Sequence, residues 1–245
     1  MTDWLKPDWP VPDWVGAIST TRSGGGSEGG YRWLNLGTRC GDDPDRVAAN
    51  RRQLAGLSGV DHQWLRQVHG VAVHQGMGPL RDAEPEADAA WTDEAGIACT
   101  VLTADCLPVL VCDAAQRRVA AAHAGWRGLA AGVLEATFAD MDARPESTRV
   151  WLGPAIGPQV YEVGEEVRDA FQGDLPANAG YFQATRPGHW LCNLPGLAAQ
   201  RLRRAGFGLT FFSRACTFGE PARFYSYRRD GDATGRMASA IWIRG

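Results

Sequence analysis

The sequence predicts an α+β fold, formed as a single domain over residues 1–245, with helices outside mixed sheets. Short apolar runs bounded by turn residues recur along the chain and predict strands. Segments with helical spacing of large apolar residues lie between them, in no strict alternation of strand and helix. No low-complexity linker divides the 245 residues, of which 44% are hydrophobic, so one substantial core is expected.

The first part of the chain predicts short elements on either side of one helix. Asp43 is of a residue type that caps helices and Pro44 suits a first helical turn, so a helix is expected to begin there. In chain order the predictions are a strand (15–21), a glycine-rich loop that is a candidate lid (23–30), the helix (43–57), and one bent or two short strands (64–75).

The second part of the chain begins with three apolar runs separated by turn signals, which predict three consecutive strands. The spacing of Leu129, Val133 and Phe138 then predicts a helix. In chain order the predictions are strands (97–103, 109–113, 119–123), a helix (128–138), a strand (149–152), two helices (165–171, 195–205) and three strands (207–212, 224–227, 237–243).

Charge and hydropathy exclude several classes of partner. The formal net charge of −3 gives no electrostatic reason to expect nucleic acid or an anionic membrane, and the arginines at 201–204 are interpreted as a solvated helix face. The N-terminus lacks the basic start and apolar run of a signal peptide. No stretch approaches the roughly 18 continuous apolar residues of a membrane span. A cytoplasmic protein with mostly reduced cysteines is therefore expected.

Three separated segments each place a soft metal ligand beside a turn, namely His69, Cys106 and His123. Two imidazoles and one thiolate suit zinc or copper and leave one coordination position for water or substrate, which favours catalysis over a structural role. Spacing alone does not show that the three residues meet. Taken alone, a cysteine such as Cys106 is more often an inert core residue, and a further alternative is a nucleophile with His123 as its base in a cysteine hydrolase.

The residues around these candidate ligands suggest further roles. His123 ends an apolar strand just before a glycine turn into a helix, and Arg127 lies in that turn. A helix amino terminus attracts anions, so this turn is a candidate phosphate pocket. The alternative is a hydrogen-bonded core histidine with a surface arginine. Asp105 is either a turn residue or a carboxylate that orients a metal ligand from outside the coordination shell.

Taken together, ten motifs in order along nearly the whole chain resemble one family, the bacterial laccase-domain proteins. This family is also described as multicopper polyphenol oxidases or purine nucleoside phosphorylases, and one enterobacterial member as a peptidoglycan editing factor. The motifs lie at 34–37, 40–44, 50–51, 67–70, 103–109, 123–128, 153–158, 162–164, 225–230 and 234–237. Asn193 departs from the family pattern, which generally has aspartate there.

The resemblance implies that His69, Cys106 and His123 bind one zinc ion and take part in catalysis. It implies a layered α/β/β/α fold, similar to the cysteine deamidase domain of certain bacterial toxins. The implied chemistry is phosphorolysis of adenosine, inosine and methylthioadenosine, together with adenosine deamination. Purine nucleosides and phosphate are then the expected partners, and Arg51 takes the place of the family's nucleoside-contacting arginine. Asn35 is expected to contact the substrate as well.

The histidine count argues against a multicopper oxidase. A blue-copper centre alone uses two histidines and a cysteine, and an oxygen-reducing cluster needs several more imidazoles. The chain has five histidines, of which two lie in the motifs, so copper is disfavoured. A non-enzymatic alternative is a zinc protein that binds nucleotide-linked muropeptide precursors as a quality-control factor.

Overall fold

The computed structural model describes residues 3–76, 84–171 and 178–245. Its strands are β1 (Val15–Ser19), β2 (Asp61–Gln63), β3 (Val73–Gln75), β4 (Ala89–Thr92), β5 (Ile97–Thr103), β6 (Leu107–Asp113), β7 (Arg118–Ala124), β8 (Thr148–Leu152), β9 (Glu162–Gly164), β10 (Phe182–Arg186), β11 (His189–Cys192), β12 (Thr210–Phe212) and β13 (Met237–Ile243). Its helices are α1 (Pro44–Ser58), α2 (Trp126–Ala131), α3 (Val133–Asp140), α4 (Glu165–Asp169), α5 (Leu194–Arg204) and α6 (Tyr227–Asp230). Within these ranges no helix has the length and apolar character needed to cross a membrane.

Two mixed sheets form the centre of the fold. One has six strands in the order β12-β8-β6-β7-β4-β3, and the other has four in the order β1-β13-β5-β2. A small antiparallel sheet, β10-β11-β9, lies beside them. Apolar side chains from both large sheets pack against each other, among them Val101, Leu110, Trp151 and Ile241. The two sheets therefore bury their facing sides in a common core.

Helices cover the outer sides of both sheets. Leu54 of α1 packs with Ala98 and Trp242 on the four-stranded sheet. Phe138 of α3 and Leu197 of α5 pack on the six-stranded sheet. The order of layers is helix, sheet, sheet, helix, which confirms the predicted α+β class with a layered α/β/β/α arrangement.

Helix α1 follows the prediction closely. The Asp43 carboxylate caps it by accepting a hydrogen bond from the Asp45 amide at 2.9 Å, and Gly59 ends it in the left-handed region at φ 72°. Asn50, on its buried face, accepts from the Gly26 amide at 2.9 Å and donates to Ser27 Oγ at 3.0 Å. These bonds hold the glycine-rich loop, the candidate lid, against α1.

Three predicted elements were wrong in whole or in part. Residues 64–75, expected to form one bent or two short strands, contain one named strand, β3, and β2 precedes them. The helix expected at 128–138 is divided into α2 and α3 by Gly132, whose φ of 100° is incompatible with a continuous helix. The strand expected at 224–227 is an irregular segment that leads into α6, because the Ser226 hydroxyl accepts from the Arg229 amide at 3.3 Å and caps a helix instead. Strand β4 and the three-stranded sheet were not predicted.

Helix α5 shows what the departure at Asn193 does locally. The Asn193 side chain accepts a hydrogen bond from the Gly196 amide at 2.9 Å and caps the helix. Asparagine and aspartate are equivalent N-caps. The helix start is therefore kept without a carboxylate.

Candidate metal centre

Strand pairing brings the three candidate ligands together at one edge of the six-stranded sheet. In the register of β6 and β7, Pro108 lies opposite His123, so Cys106, just before β6, is next to the histidine. His69 reaches the same place from the loop between β2 and β3. The Nε2 atom of His69 is 3.8 Å from Cys106 Sγ, and ligand atoms of all three residues lie within 4.8 Å of one another.

A buried carboxylate, Asp88, connects two of the candidate ligands. Its Oδ1 accepts from His123 Nδ1 at 2.8 Å, which leaves Nε2 of His123 for a metal. The same carboxylate accepts from the backbone amides of His69 at 3.0 Å and Gly70 at 2.7 Å. One side chain thus orients the imidazole of His123 and holds the loop that carries His69.

The loop geometry at His69 is unusual for a residue with a side chain. Its φ of 61° lies in the left-handed region, which non-glycine residues adopt at a cost of about 1 kcal/mol or more. The bonds to Asp88 hold this conformation. The His69 ring meets the ring of His123 edge to face, with centroids 4.8 Å apart.

The turn that carries Cys106 is held by its neighbour Asp105, which also has a left-handed backbone at φ 93°. The Asp105 carboxylate accepts from Thr217 Oγ1 at 2.6 Å, from Ser226 Oγ at 3.0 Å and from the Arg228 amide at 2.7 Å. It therefore orients the turn rather than the side chain of a candidate ligand. These contacts are those of a turn residue, the other alternative given by the sequence. Orientation of a metal ligand by Asp105, and a catalytic role for it, stay predictions.

Gly125 leaves room for two of the ligands. A Cβ atom at this position would lie 2.9 Å from His69 Cδ2 and 3.0 Å from Cys106 Sγ. Both distances are shorter than ordinary van der Waals contact, about 3.5–4.0 Å between carbon atoms. Any larger residue would displace the imidazole or the thiol.

The electrostatics of the group favour a thiolate beside an imidazolium when no metal is bound. Burial opposes ionisation of Cys106, but His123 and His69 outweigh it and lower the pKa of the thiol to about 6. Burial also opposes protonation of His123, but Cys106 and Asp88 raise its pKa to about 9. Asp88 is desolvated too, and its bonds to His123 and backbone amides nevertheless hold its pKa below the usual range.

The donor set fits zinc. In a tetrahedral site with zinc–nitrogen bonds of about 2.0 Å and zinc–sulfur bonds of about 2.3 Å, neighbouring ligand atoms are roughly 3.3–3.5 Å apart. The observed separations reach 4.8 Å, so the ligand atoms would move together by up to about 1.3 Å to bind one ion. Three protein ligands also leave a fourth position open, as catalytic zinc sites do.

The candidate ligands lie in the wall of a cavity of about 560 Å³, a size typical of small-molecule sites. Its wall also contains apolar and aromatic side chains: Leu65, Leu102, Trp126, Ile156, Tyr161, Leu194 and Tyr227. Three arginines in the wall, Arg127, Arg228 and Arg236, have no carboxylate partner among the described residues. The guanidinium of Arg127 lies over the Trp126 ring at 4.2 Å. The cavity can therefore take a ligand that is partly apolar and partly anionic.

Two of the predicted substrate contacts lie outside the cavity wall. Arg51 donates to the Leu36 carbonyl at 2.9 Å, pairs with Glu84 at 2.8 Å and lies over Trp64. Its contact with a substrate stays a prediction.

Asn35 is fully buried rather than exposed to the cavity. Its amide donates to Asp42 Oδ2 at 2.9 Å, and its carbonyl oxygen accepts from the Arg236 amide at 2.8 Å. Asn35 therefore supports Arg236, which does line the cavity, and its own contact with a substrate stays a prediction.

Several residues of the site were missed by the sequence analysis: Asp88, Tyr161, Arg228 and Arg236. Asp88 had one usable signal, since it is the only charged residue in the run 87–91. Tyr161 lies in the gap between two of the recognised motifs, 153–158 and 162–164. The arginines lie inside recognised motifs, but nothing in spacing directs their side chains to the cavity.

Comparisons with known proteins agree with this arrangement. Purine nucleoside phosphorylase PA4543 of Pseudomonas aeruginosa is 49% identical over 249 residues, covering 100% of both chains. Purine nucleoside phosphorylase YfiH of Escherichia coli K12 is 47% identical, covering 99% of this chain and 100% of its own. The crystal structure of Neisseria meningitidis protein NMB0706 has a TM-score of 0.95 at 46% identity, over 99% of this chain and 100% of that chain.

A second solved structure, YlmD from Geobacillus stearothermophilus, has a TM-score of 0.88 at 33% identity, over 95% of this chain and 93% of that chain. The family profile described as multi-copper polyphenol oxidoreductase laccase matches residues 16–244. These matches confirm the resemblance on which the sequence analysis relied. The chain belongs to the multi-copper polyphenol oxidoreductase laccase family.

Proposed function

We propose that this protein is a zinc-dependent purine nucleoside phosphorylase that acts on adenosine, inosine and methylthioadenosine and also deaminates adenosine. One observation carries the proposal: the His69, Cys106 and His123 group lies in the same cavity wall as three arginines without carboxylate partners among the described residues. The relatives from Pseudomonas aeruginosa and Escherichia coli are named purine nucleoside phosphorylases, which supports an enzyme of that kind.

The proposed metal is a single zinc ion held by His69, Cys106 and His123. When bound, zinc can polarise an oxygen ligand and lower the pKa of a bound water to about 7, which suits hydrolytic deamination. Asp88 supports the site by fixing the tautomer of His123. Only two of the five histidines belong to this group, so one zinc is favoured over several copper ions.

The rest of the cavity supplies groups for a nucleoside and phosphate. Arg127, Arg228 and Arg236 can bind phosphate oxygens as charged hydrogen-bond donors. Trp126 and Leu102 offer apolar surface for a purine. Holding phosphate beside the sugar lowers the barrier to its attack on C1′, because the two reactants are already aligned.

The test measures metal and turnover on the same preparations. Purified protein is incubated with adenosine or inosine, with and without phosphate, and its zinc content is determined. We expect free base and ribose 1-phosphate only when phosphate is present, and inosine from adenosine without it. An enzyme preparation that contains zinc but forms no free base and no inosine would refute the proposal.

Variants connect the activity to the site. His69→Ala and Cys106→Ala should lose zinc and turnover in parallel. The matched control is His189→Ala, because His189 lies on β11 outside the cavity wall and its imidazole bonds the Pro187 carbonyl at 3.1 Å. The His189→Ala variant should keep its zinc and its turnover. Retained turnover in a zinc-free variant would contradict the metal role.

A cysteine hydrolase is a second candidate, favoured by the lowered pKa of Cys106 and by the His123–Asp88 pair. Chelation separates the two: a hydrolase stays active without metal and is inactivated by alkylation of Cys106. A link to muropeptide precursors rests on the family resemblance alone and stays a prediction, as do a cytoplasmic location and a single domain spanning residues 1–245.

A further inference from the structure

The Tyr161 hydroxyl has no hydrogen-bond partner among the residues that the structure describes. The side chain lines the cavity and is only 9% exposed, yet its hydroxyl makes no hydrogen bond to any described residue. The other four tyrosines of the chain all have bonded hydroxyls: Tyr31 to the Cys40 carbonyl, Tyr181 to Arg203, Tyr225 to the Tyr31 carbonyl and Tyr227 to Asp232. The oxygen is not among the buried atoms that lack a partner, so it is open to the cavity. A bound ligand can therefore replace the water that bonds the hydroxyl there.

Tyr161 is held on the same framework as the metal ligands. Its carbonyl accepts from the Cys192 amide at 2.9 Å, and the Arg228 guanidinium lies 5.3 Å from its ring centroid. Arg228 in turn donates from its backbone amide to Asp105, the residue before Cys106. The Tyr161 ring is therefore linked through Arg228 to the turn that carries Cys106.

The chemistry of phosphorolysis limits what this hydroxyl can do. A phosphate oxygen forms a bond to C1′, the C1′–N9 bond breaks, and its electron pair stays on the purine. Hydrogen phosphate loses one proton in becoming the sugar phosphate, and the purine gains one, through solvent. Until that proton arrives, the departing purine carries negative charge that a hydrogen-bond donor can stabilise.

The cavity wall contains both charged and neutral hydrogen-bond donors. Arg127, Arg228 and Arg236 supply positive charge for phosphate, whereas Tyr161 supplies a neutral O–H donor. Burial raises the pKa of the Tyr161 hydroxyl above its usual value, so it stays protonated and donates a hydrogen bond rather than a proton.

We propose that Tyr161 is a catalytic residue that donates a hydrogen bond to the purine as it departs. This inference rests on the proposed phosphorylase activity. It assigns Tyr161 to the leaving group, distinct from the arginines that take phosphate and from the zinc ligands.

The test compares two nucleosides that differ in the charge of the leaving base. Inosine releases a purine anion, whereas 7-methylinosine already carries a positive charge on its base and releases a neutral purine. Zinc-loaded Tyr161→Phe should lower kcat/KM for inosine by about 100-fold and leave 7-methylinosine close to the wild-type value. Activity on 7-methylinosine also shows that the variant is folded and loaded.

The matched control is Tyr181→Phe, since the Tyr181 hydroxyl bonds Arg203 at 3.0 Å outside the cavity and both activities should be unchanged. An equal loss with both substrates would overturn the inference, because Tyr161 would then position sugar or phosphate. Unchanged inosine turnover would overturn it too, as would a wild-type enzyme that cleaves inosine but not 7-methylinosine. A wild-type enzyme that cleaves neither would refute the phosphorylase proposal itself.

Discussion

Replacing Gly125 with alanine should weaken the proposed zinc binding without disturbing the fold. The backbone at Gly125 has φ −63° and ψ 160°, a conformation that alanine adopts freely, so no backbone strain is introduced. The added Cβ would lie 2.9 Å from His69 Cδ2 and 3.0 Å from Cys106 Sγ. To restore contacts of about 3.5–4.0 Å, the two ligands must move by roughly 0.5–1 Å.

Such a shift is comparable to the tolerance of a metal site, about 0.5 Å. We expect zinc affinity to fall by about 10- to 100-fold, as for perturbed supports of metal ligands, which corresponds to about 1.4–2.8 kcal/mol. The assay is competition for zinc with a chromophoric chelator. Gly56→Ala on α1, where a Cβ meets nothing within 4 Å, is the matched control. Wild-type zinc affinity in Gly125→Ala would show that the three residues do not bind the metal together.

Three further predictions concern charge. Asp88→Asn keeps the shape of the side chain but removes the carboxylate that bonds His123, and zinc affinity should fall by about 10- to 100-fold. The same chelator competition measures this affinity, and an unchanged value contradicts the orienting role of Asp88. In the zinc-stripped protein, the rate of Cys106 alkylation should be half-maximal near pH 6, because the pKa of the thiol is about 6. Added zinc should block the alkylation. A midpoint near pH 8.5, that of a free thiol, contradicts the thiolate–imidazolium pair. Burial, with a smaller effect of Arg51, lowers the pKa of His62 to about 4, below an unfolded value of about 6.5. Protons therefore bind the unfolded chain preferentially, and the free energy of unfolding should fall by up to about 3 kcal/mol as the pH drops from about 6.5 to 4. Urea denaturation of wild type and His62→Gln at several pH values tests this, since the variant should show a smaller loss, and parallel profiles contradict it.

The sequence predicted those elements whose signals are local. Strand β5 was predicted with its observed bounds because an apolar run ends in turn residues at both sides. Helix α1 was predicted because Asp43, Pro44 and Gly59 mark its ends. Strand β4 was missed because Ala89–Thr92 is rich in alanine, which has little strand preference. Its assignment depends on pairing with β7, a contact distant in sequence.

The candidate site shows the same division between local and distant information. Residue type and neighbouring turns identified His69, Cys106 and His123, whereas their approach to one another depends on strand register. His123 lies between two neighbouring strands. On one side β6 places Pro108 opposite it, and on the other the register of β4, with Ala89 opposite Ala122, brings Asp88 beside it.

The register of β4 also explains why the role of Asp88 was harder to predict than the three candidate ligands. A histidine or cysteine has few reasons to stand beside a turn, so its residue type carries information about metal binding. An aspartate occurs beside turns for many reasons, so its residue type alone does not indicate a role at a metal site. The role of Asp88 is visible only from its four hydrogen bonds, to His123 Nδ1 and the amides of 68–70. Because those bonds join two ligands, the positions of His69 and His123 are not independent. A perturbation at Asp88 should therefore displace both ligands at once, whereas one at Asp105 should displace the turn of Cys106 alone.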